Sequence, residues 1–358
     1  MPVSSPVSGG PVRGCSELAD FPEQLARDRH GRRSVGRTSA AVVGGALVAG
    51  AGVWLAGPAV AAGLGGKSLL GVAAGAGLGG RAGYSLARAW LRDIPDFSFH
   101  EVRSAGEDCA HRFVVVNGFL TEDDENAEDW CRGLAPVAGD SGIQYLNWEA
   151  QTLRKLGSAL GQSAGGFVLR SFLRQATGAA SDRISRRFPR GGAVLAAADL
   201  AANPWHSAMR NAEKAGVLLA EAIIATEGRS YTLMGHSLGA RVVFFALMHL
   251  AERGETGRVR DAVLLGAAVG RDRTDHWQQA VDAVTGRLYN GYSEHDRVLR
   301  FLYQGASIGL SRPAGLAPTR AHTTGLVNLD CSDLVDSHNA WKRHLPPVME
   351  RIQRNACD

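Results

Sequence analysis

Gly235, His236, Ser237, Leu238 and Gly239 spell glycine–any–serine–any–glycine between an apolar run and a helix-like run. A serine in that setting is a candidate nucleophile towards acyl carbon. The reason is steric. The chain must turn sharply from strand to helix, side chains at the two glycines would strike neighbouring backbone, and the turn lifts the serine hydroxyl above the sheet. The helix that follows aims its positive N-terminal end at any oxyanion formed there.

A serine needs a base, and the base needs an acid to orient it. In a strand–turn–helix setting of this kind the partners follow in the order serine, acid, histidine. Residues 287–292 read as a strand opening into a loop with Asp296 near its tip, which makes Asp296 the expected acid. Glu294 is its nearest rival, and Asp272 and Asp275, after the preceding strand, are weaker ones. Taken alone, a loop carboxylate is an ordinary turn residue or surface ion-pair partner, so the preceding strand decides. His338 lies after the last expected strand and just ahead of the final helix, which makes it the expected base. His322 precedes that strand and His344 falls inside the helix.

Two backbone donors should meet the developing negative charge. The Leu238 amide is one. The other should come from Asn117-Gly118-Phe119 after an early strand, with Phe119 preferred and Gly118 the alternative, because a glycine lets backbone approach substrate closely. Gly118 as a plain turn residue is the competing reading.

These residues need a frame. The run 111–116 reads as a buried strand, an acidic helix follows from about Glu122 to Leu134, and 143–148 reads as the next strand. After residue 203 the chain alternates: helix 204–226, strand 231–234, helix 240–253, strand 261–265, helix 275–284, strand 287–292, strand 326–329, and a last helix from about Asn339. Pro204 suits a helix start. The alternation predicts a mostly parallel sheet with helices on both faces; with the serine turn set between strand and helix, the expected class is the α/β-hydrolase fold, plus a Gly/Ala-rich helical hairpin and a helical insertion.

The organisation expected is a flexible polar N-terminus (1–37), a Gly/Ala-rich hydrophobic segment (38–92), and a hydrolase domain (93–358) with a helical insertion at about 150–203. From Thr38 to Gly66 there is no charged residue, and a second uncharged stretch runs from Ser68 to Gly80. The first is long enough to cross a bilayer, which takes ~20 helical residues. Gly71, Gly75 and Gly79 place bare backbone on one helix face, as in close-packed membrane helices. Pro58 would kink or break the first segment, giving a hairpin. Membrane contact through residues 38–80 is expected, against the plainer reading of a helical pair packed on the domain. Arg32 and Arg33 ahead of an apolar run also fit an export signal, but the long lead-in and the cysteine pattern speak against it. A cytoplasmic or membrane-associated location follows.

Other classes are poorly supported. Net charge is +4 across 358 residues, with no stripe of basic and aromatic residues, so nucleic acid is not an expected partner. Five cysteines are scattered without a Cys-x-x-Cys pair, which argues against a zinc site and a disulfide framework. No metal or organic cofactor is implied.

The stretches 235–243, 262–269 and 287–296, with Ala314–Pro318 and Ser337-His338, resemble the domain-of-unknown-function family 726, which includes the transmembrane and coiled-coil domain protein 4 group. The likeness covers roughly residues 90–350. It implies an α/β-hydrolase fold with Gly/Ala-rich segments that touch membranes, and its elbow, acid and histidine would fall on Ser237, Asp296 and His338. It supplies no substrate. The expectation is hydrolysis of carboxylic esters through an acyl-enzyme, with a lipid or phospholipid substrate at a membrane. A soluble esterase or thioesterase for small acyl compounds is one alternative, and a membrane-associated module without turnover is another.

Overall fold

The computed structural model describes residues 15–27, 87, 90–91, 93–94, 96–118, 125–148, 204–300 and 312–357. Among these, seven strands form one sheet in the order β1-β3-β2-β4-β5-β6-β7. They are β1 (Ser98–Arg103), β2 (His111–Val116), β3 (Gly142–Asn147), β4 (Ser230–His236), β5 (Val259–Leu265), β6 (Leu288–Tyr292) and β7 (Leu326–Asp330). Every neighbouring pair is parallel except β1 with β3.

Alternate residues of each central strand face opposite layers. Val114, Val116, Leu233 and Leu264 point into one layer, with α3 (Pro204–Ala225), α4 (Leu238–Glu252) and α5 (Thr274–Asp282). Phe113, Val115, Met234, Val263 and Leu265 point into the other, against α2 (Glu125–Ala138), α6 (Ala340–Arg343) and α7 (Leu345–Cys357). Both faces are therefore covered, which is why these strands read as unbroken apolar runs. The chain has the α/β-hydrolase fold: a mostly parallel sheet between two helical layers, with the Gly-x-Ser-x-Gly turn at the C-terminal end of β4.

Three differences from the sequence reading have physical causes. Strand β1 was not anticipated; Ser-Phe-His-Glu-Val-Arg is largely polar, as suits an edge strand with exposed positions. The final helix is two helices, α6 and α7, divided at His344, because Pro346 and Pro347 cannot extend α6 but fit the first turn of α7. The third concerns the polar N-terminus. Residues 15–27 carry helix α1 (Asp20–Arg27), whose Phe21 and Leu25 are buried along with Leu18. Glu17 accepts from Arg112 at 3.3 Å and Arg229 at 2.7 Å, so this part of the polar stretch packs on the domain. The Gly/Ala-rich segment 38–80 and the insertion 150–203 lie outside the described residues. Among those described, no helix is long and apolar enough to cross a membrane.

Candidate active site

Ser237 sits between β4 and α4 with φ 59° and ψ −118°. Among the described residues it is the one non-glycine with positive φ. Such a conformation costs on the order of 1–3 kcal/mol and persists only where the surroundings impose it. Here they do. The Ser237 amide donates to the Leu265 carbonyl at 2.9 Å, and the Ser237 carbonyl accepts from Ala268 at 3.2 Å and Arg241 at 3.3 Å. A Cβ on Gly235 would collide with the backbone of Gly239, and one on Gly239 with the carbonyl of Val116. The two glycines thus let β2, β4 and α4 close around the turn.

Three side chains meet at this turn in a continuous hydrogen-bond chain. Ser237 Oγ lies 2.9 Å from His338 Nε2, and His338 Nδ1 lies 2.7 Å from Asp296 Oδ2. The second carboxylate oxygen of Asp296 accepts from the Leu299 amide at 2.8 Å. All three residues are buried, with exposures of 0% for Ser237, 1% for His338 and 0% for Asp296. With Nδ1–H held by the carboxylate, His338 Nε2 is left to accept the serine proton. The rivals are elsewhere. Glu294, His322 and His344 are exposed, Asp272 pairs with Arg320 at 3.0 Å, and Asp275 pairs with Arg273 at 2.9 Å. That last pairing holds the Asp275 carboxyl down at about 2.

The expected oxyanion donors divide. Leu238 begins α4, whose first N–H groups have no acceptor within the helix. Gly118 lies against it: a Cβ there would stand 2.7 Å from Ser237 Cβ and 2.9 Å from the Leu238 nitrogen. Phe119, the preferred second donor, lies outside the described residues.

Two tryptophans were not anticipated. Trp130 Nε1 on α2 donates to the Asn117 side-chain oxygen at 2.7 Å, and Trp148 Nε1 donates to the Asn117 carbonyl at 3.0 Å. They fix the residue just before Gly118. The available signal was Asn117 itself, a polar residue closing an apolar strand, which must find partners when buried.

Lys342 in α6, whose charge acts on His236, is buried, and burial pulls its ammonium down to about 7 from the ordinary 10.5, with Asp129 pulling the other way. Between those values the unfolded chain holds a proton there that the folded chain lacks. The residue therefore costs stability, fully at and below about pH 7, and the cost fades as pH rises towards 10.5. Lys342→Met is expected to be more stable than the parent chain by ~2–4 kcal/mol at about pH 7, with the gap shrinking by about pH 10. Urea midpoints at both pH values check this, and a pH-independent gap contradicts it.

No group of metal-ligating side chains occurs among the described residues. A family model described as "Protein of unknown function (DUF726)" matches residues 29–355. The Saccharomyces cerevisiae protein named "Probable lipase MIL1" is 28% identical over 248 residues, covering 67% of this chain and 22% of that protein. "Transmembrane and coiled-coil domain-containing protein STS1" of Oryza sativa subsp. japonica is 29% identical over 247 residues, covering 68% of this chain and 36% of that protein. The chain thus spans well under half the length of these relatives. Among solved structures, the type II thioesterase YbtT of the yersiniabactin biosynthetic pathway aligns with 72% of this chain and 96% of its own, at 14% identity and a TM-score of 0.34.

Proposed function

The chain belongs to the DUF726 family, and from that premise we propose that it is a serine hydrolase cleaving carboxylic esters through an acyl-enzyme. The observation that carries the reading is the buried chain of hydrogen bonds from Ser237 through His338 to Asp296, built on a strained serine. Ser237 Oγ attacks the acyl carbon while its proton passes to His338 Nε2. The imidazolium keeps its Nδ1–H on Asp296, which stabilises the charge and fixes the ring. The tetrahedral oxyanion is met by the Leu238 amide and by a second amide, that of Phe119 or Gly118. Its collapse breaks the ester C–O bond, and His338 returns the proton to the departing alcohol. Water, deprotonated by His338, then releases the acid and restores the serine.

Lipid or phospholipid is the substrate class proposed. Support comes from the uncharged segments at 38–80, one relative named a probable lipase and one named a transmembrane protein. A cytoplasmic enzyme working at a membrane surface fits this reading. Hydrolysis of a short-chain ester, a long-chain ester and phospholipid vesicles by the full chain tests it. The expected result is preference for the long chain and a rate rise when substrate passes from monomers to aggregates or vesicles. Preference for the short chain with no response to vesicles would favour a soluble esterase or thioesterase. A folded protein inert to all three would point to a module without turnover.

A further inference from the structure

His338 is carried by the loop 331–339 between β7 and α6, and its reactivity depends on holding two hydrogen bonds, at 2.7 and 2.9 Å, at once. Two side chains, one at the end of β4 and one just past the end of β6, reach carbonyls of that loop. His236, the residue before the nucleophile, places Nε2 3.1 Å from the His338 carbonyl. Ser293, three residues before Asp296, donates its hydroxyl to the Val335 carbonyl at 2.6 Å. Both are fully buried. A carbonyl can only accept, so the contact fixes His236 as the Nε2–H tautomer.

We propose that His236 and Ser293 are positioning residues, a two-sided clamp that sets His338 between its serine and its carboxylate. The proposal rests on the hydrolase reading above. Its logic is that each strand end bearing one of the other two triad members also donates one hydrogen bond into the histidine loop. A shift of any one of the three segments therefore pulls on the other two. Ser293 ties its own loop as well, since its hydroxyl accepts from the His295 amide at 3.2 Å. The backbone adds one further tie, from the Cys331 amide to the Tyr292 carbonyl at 2.8 Å.

The two imidazoles also face one another, with ring centroids 4.7 Å apart and planes tilted by 40°. A second cation at that distance would oppose the imidazolium that His338 must become. His236 avoids this. Burial, then His338, then Lys342 hold its ring well below the usual histidine range, so it stays a neutral donor. Its place in the Gly-x-Ser-x-Gly turn thus has a use beyond filling the variable position: it is the strand residue adjacent to the nucleophile whose side chain reaches the base.

The test compares donors with non-donors at both positions. His236→Phe keeps a ring but cannot donate, whereas His236→Gln places an amide N–H at similar reach. Ser293→Ala removes the hydroxyl and Ser293→Thr keeps it. Steady-state hydrolysis of a soluble p-nitrophenyl ester would be measured for all four, alongside thermal melts. The expected result is a fall in kcat of about 10- to 100-fold for His236→Phe and for Ser293→Ala, with KM within about threefold of wild type, as for a base displaced by a fraction of an ångström to an ångström. The His236→Gln and Ser293→Thr variants should restore kcat to within about fivefold. A folded His236→Phe with wild-type kcat, or a His236→Gln as impaired as His236→Phe at equal melting temperature, overturns the His236 arm. Ser293→Ala with unchanged kcat overturns the other, and should His236→Phe not fold, the Ser293 pair decides alone. Inactivity of the wild-type chain would instead be a failure of the hydrolase reading, which separates the two outcomes.

Discussion

Ser237→Ala is expected to reduce ester turnover by about 10⁴- to 10⁶-fold, to a level set by binding and the oxyanion donors alone. The fold should survive. Alanine keeps the Cβ, and the bonds that pin this residue are made by its backbone, to Leu265, Ala268 and Arg241. Removing Oγ costs one hydrogen bond, to His338, while a site strained at φ 59° loses nothing in packing. A melting temperature within a few degrees of wild type, together with abolished turnover, would assign the loss to chemistry. Unchanged turnover would place the nucleophile elsewhere. The Cys331 thiol is a poor substitute, since burial pushes it up to about 11.

Asp296→Asn should be nearly as severe, lowering kcat by about 10⁴-fold with little change in KM. An amide in place of the carboxylate presents N–H where His338 Nδ1 now finds Oδ2 at 2.7 Å, so the imidazole must turn its acceptor inward. Nε2 then carries the proton and cannot accept one from Ser237. The control is Glu294→Gln two positions earlier. Glu294 is exposed and is tied to the loop through its backbone, accepting from Arg300 at its carbonyl and donating from its amide to Ser332. That variant should retain turnover within about threefold, as surface substitutions usually do. Equal losses in the two variants, or a greater loss with Glu294→Gln, would move the acid to Glu294.

The frame was open to reading because each central strand is buried on both faces. Val114, Val115 and Val116, or Val263, Leu264 and Leu265, spell their own assignment with no pairing information. Chain order then put Asp296 and His338 beyond the strands that follow the serine, and the structure brings both within hydrogen-bond reach of one another and His338 within reach of Ser237. Less visible were features set by tertiary contact. Strand β1 owes its place to pairing with β3 and not to its own polar sequence. Leu18, Phe21 and Leu25 recur at spacings of three and four, a helical stripe hidden in a polar neighbourhood; Glu17 anchors the stretch through two arginines that lie far along the chain. The contacts of Asn117 with Trp130 and Trp148, and of Ser293 and His236 with the histidine loop, join residues from 13 to 102 positions apart. No local pattern carries such pairings, because they depend on how the fold brings strand ends, loops and helices together.

The most direct measurement is covalent labelling of the folded wild-type chain with a fluorophosphonate, followed by mass-spectrometric mapping of the adduct. Near-stoichiometric modification confined to the peptide containing Ser237, and sharply slowed in His338→Ala, is the expected result. Absence of labelling in folded protein, or an adduct on any other residue, would contradict the assignment of Ser237 as the nucleophile.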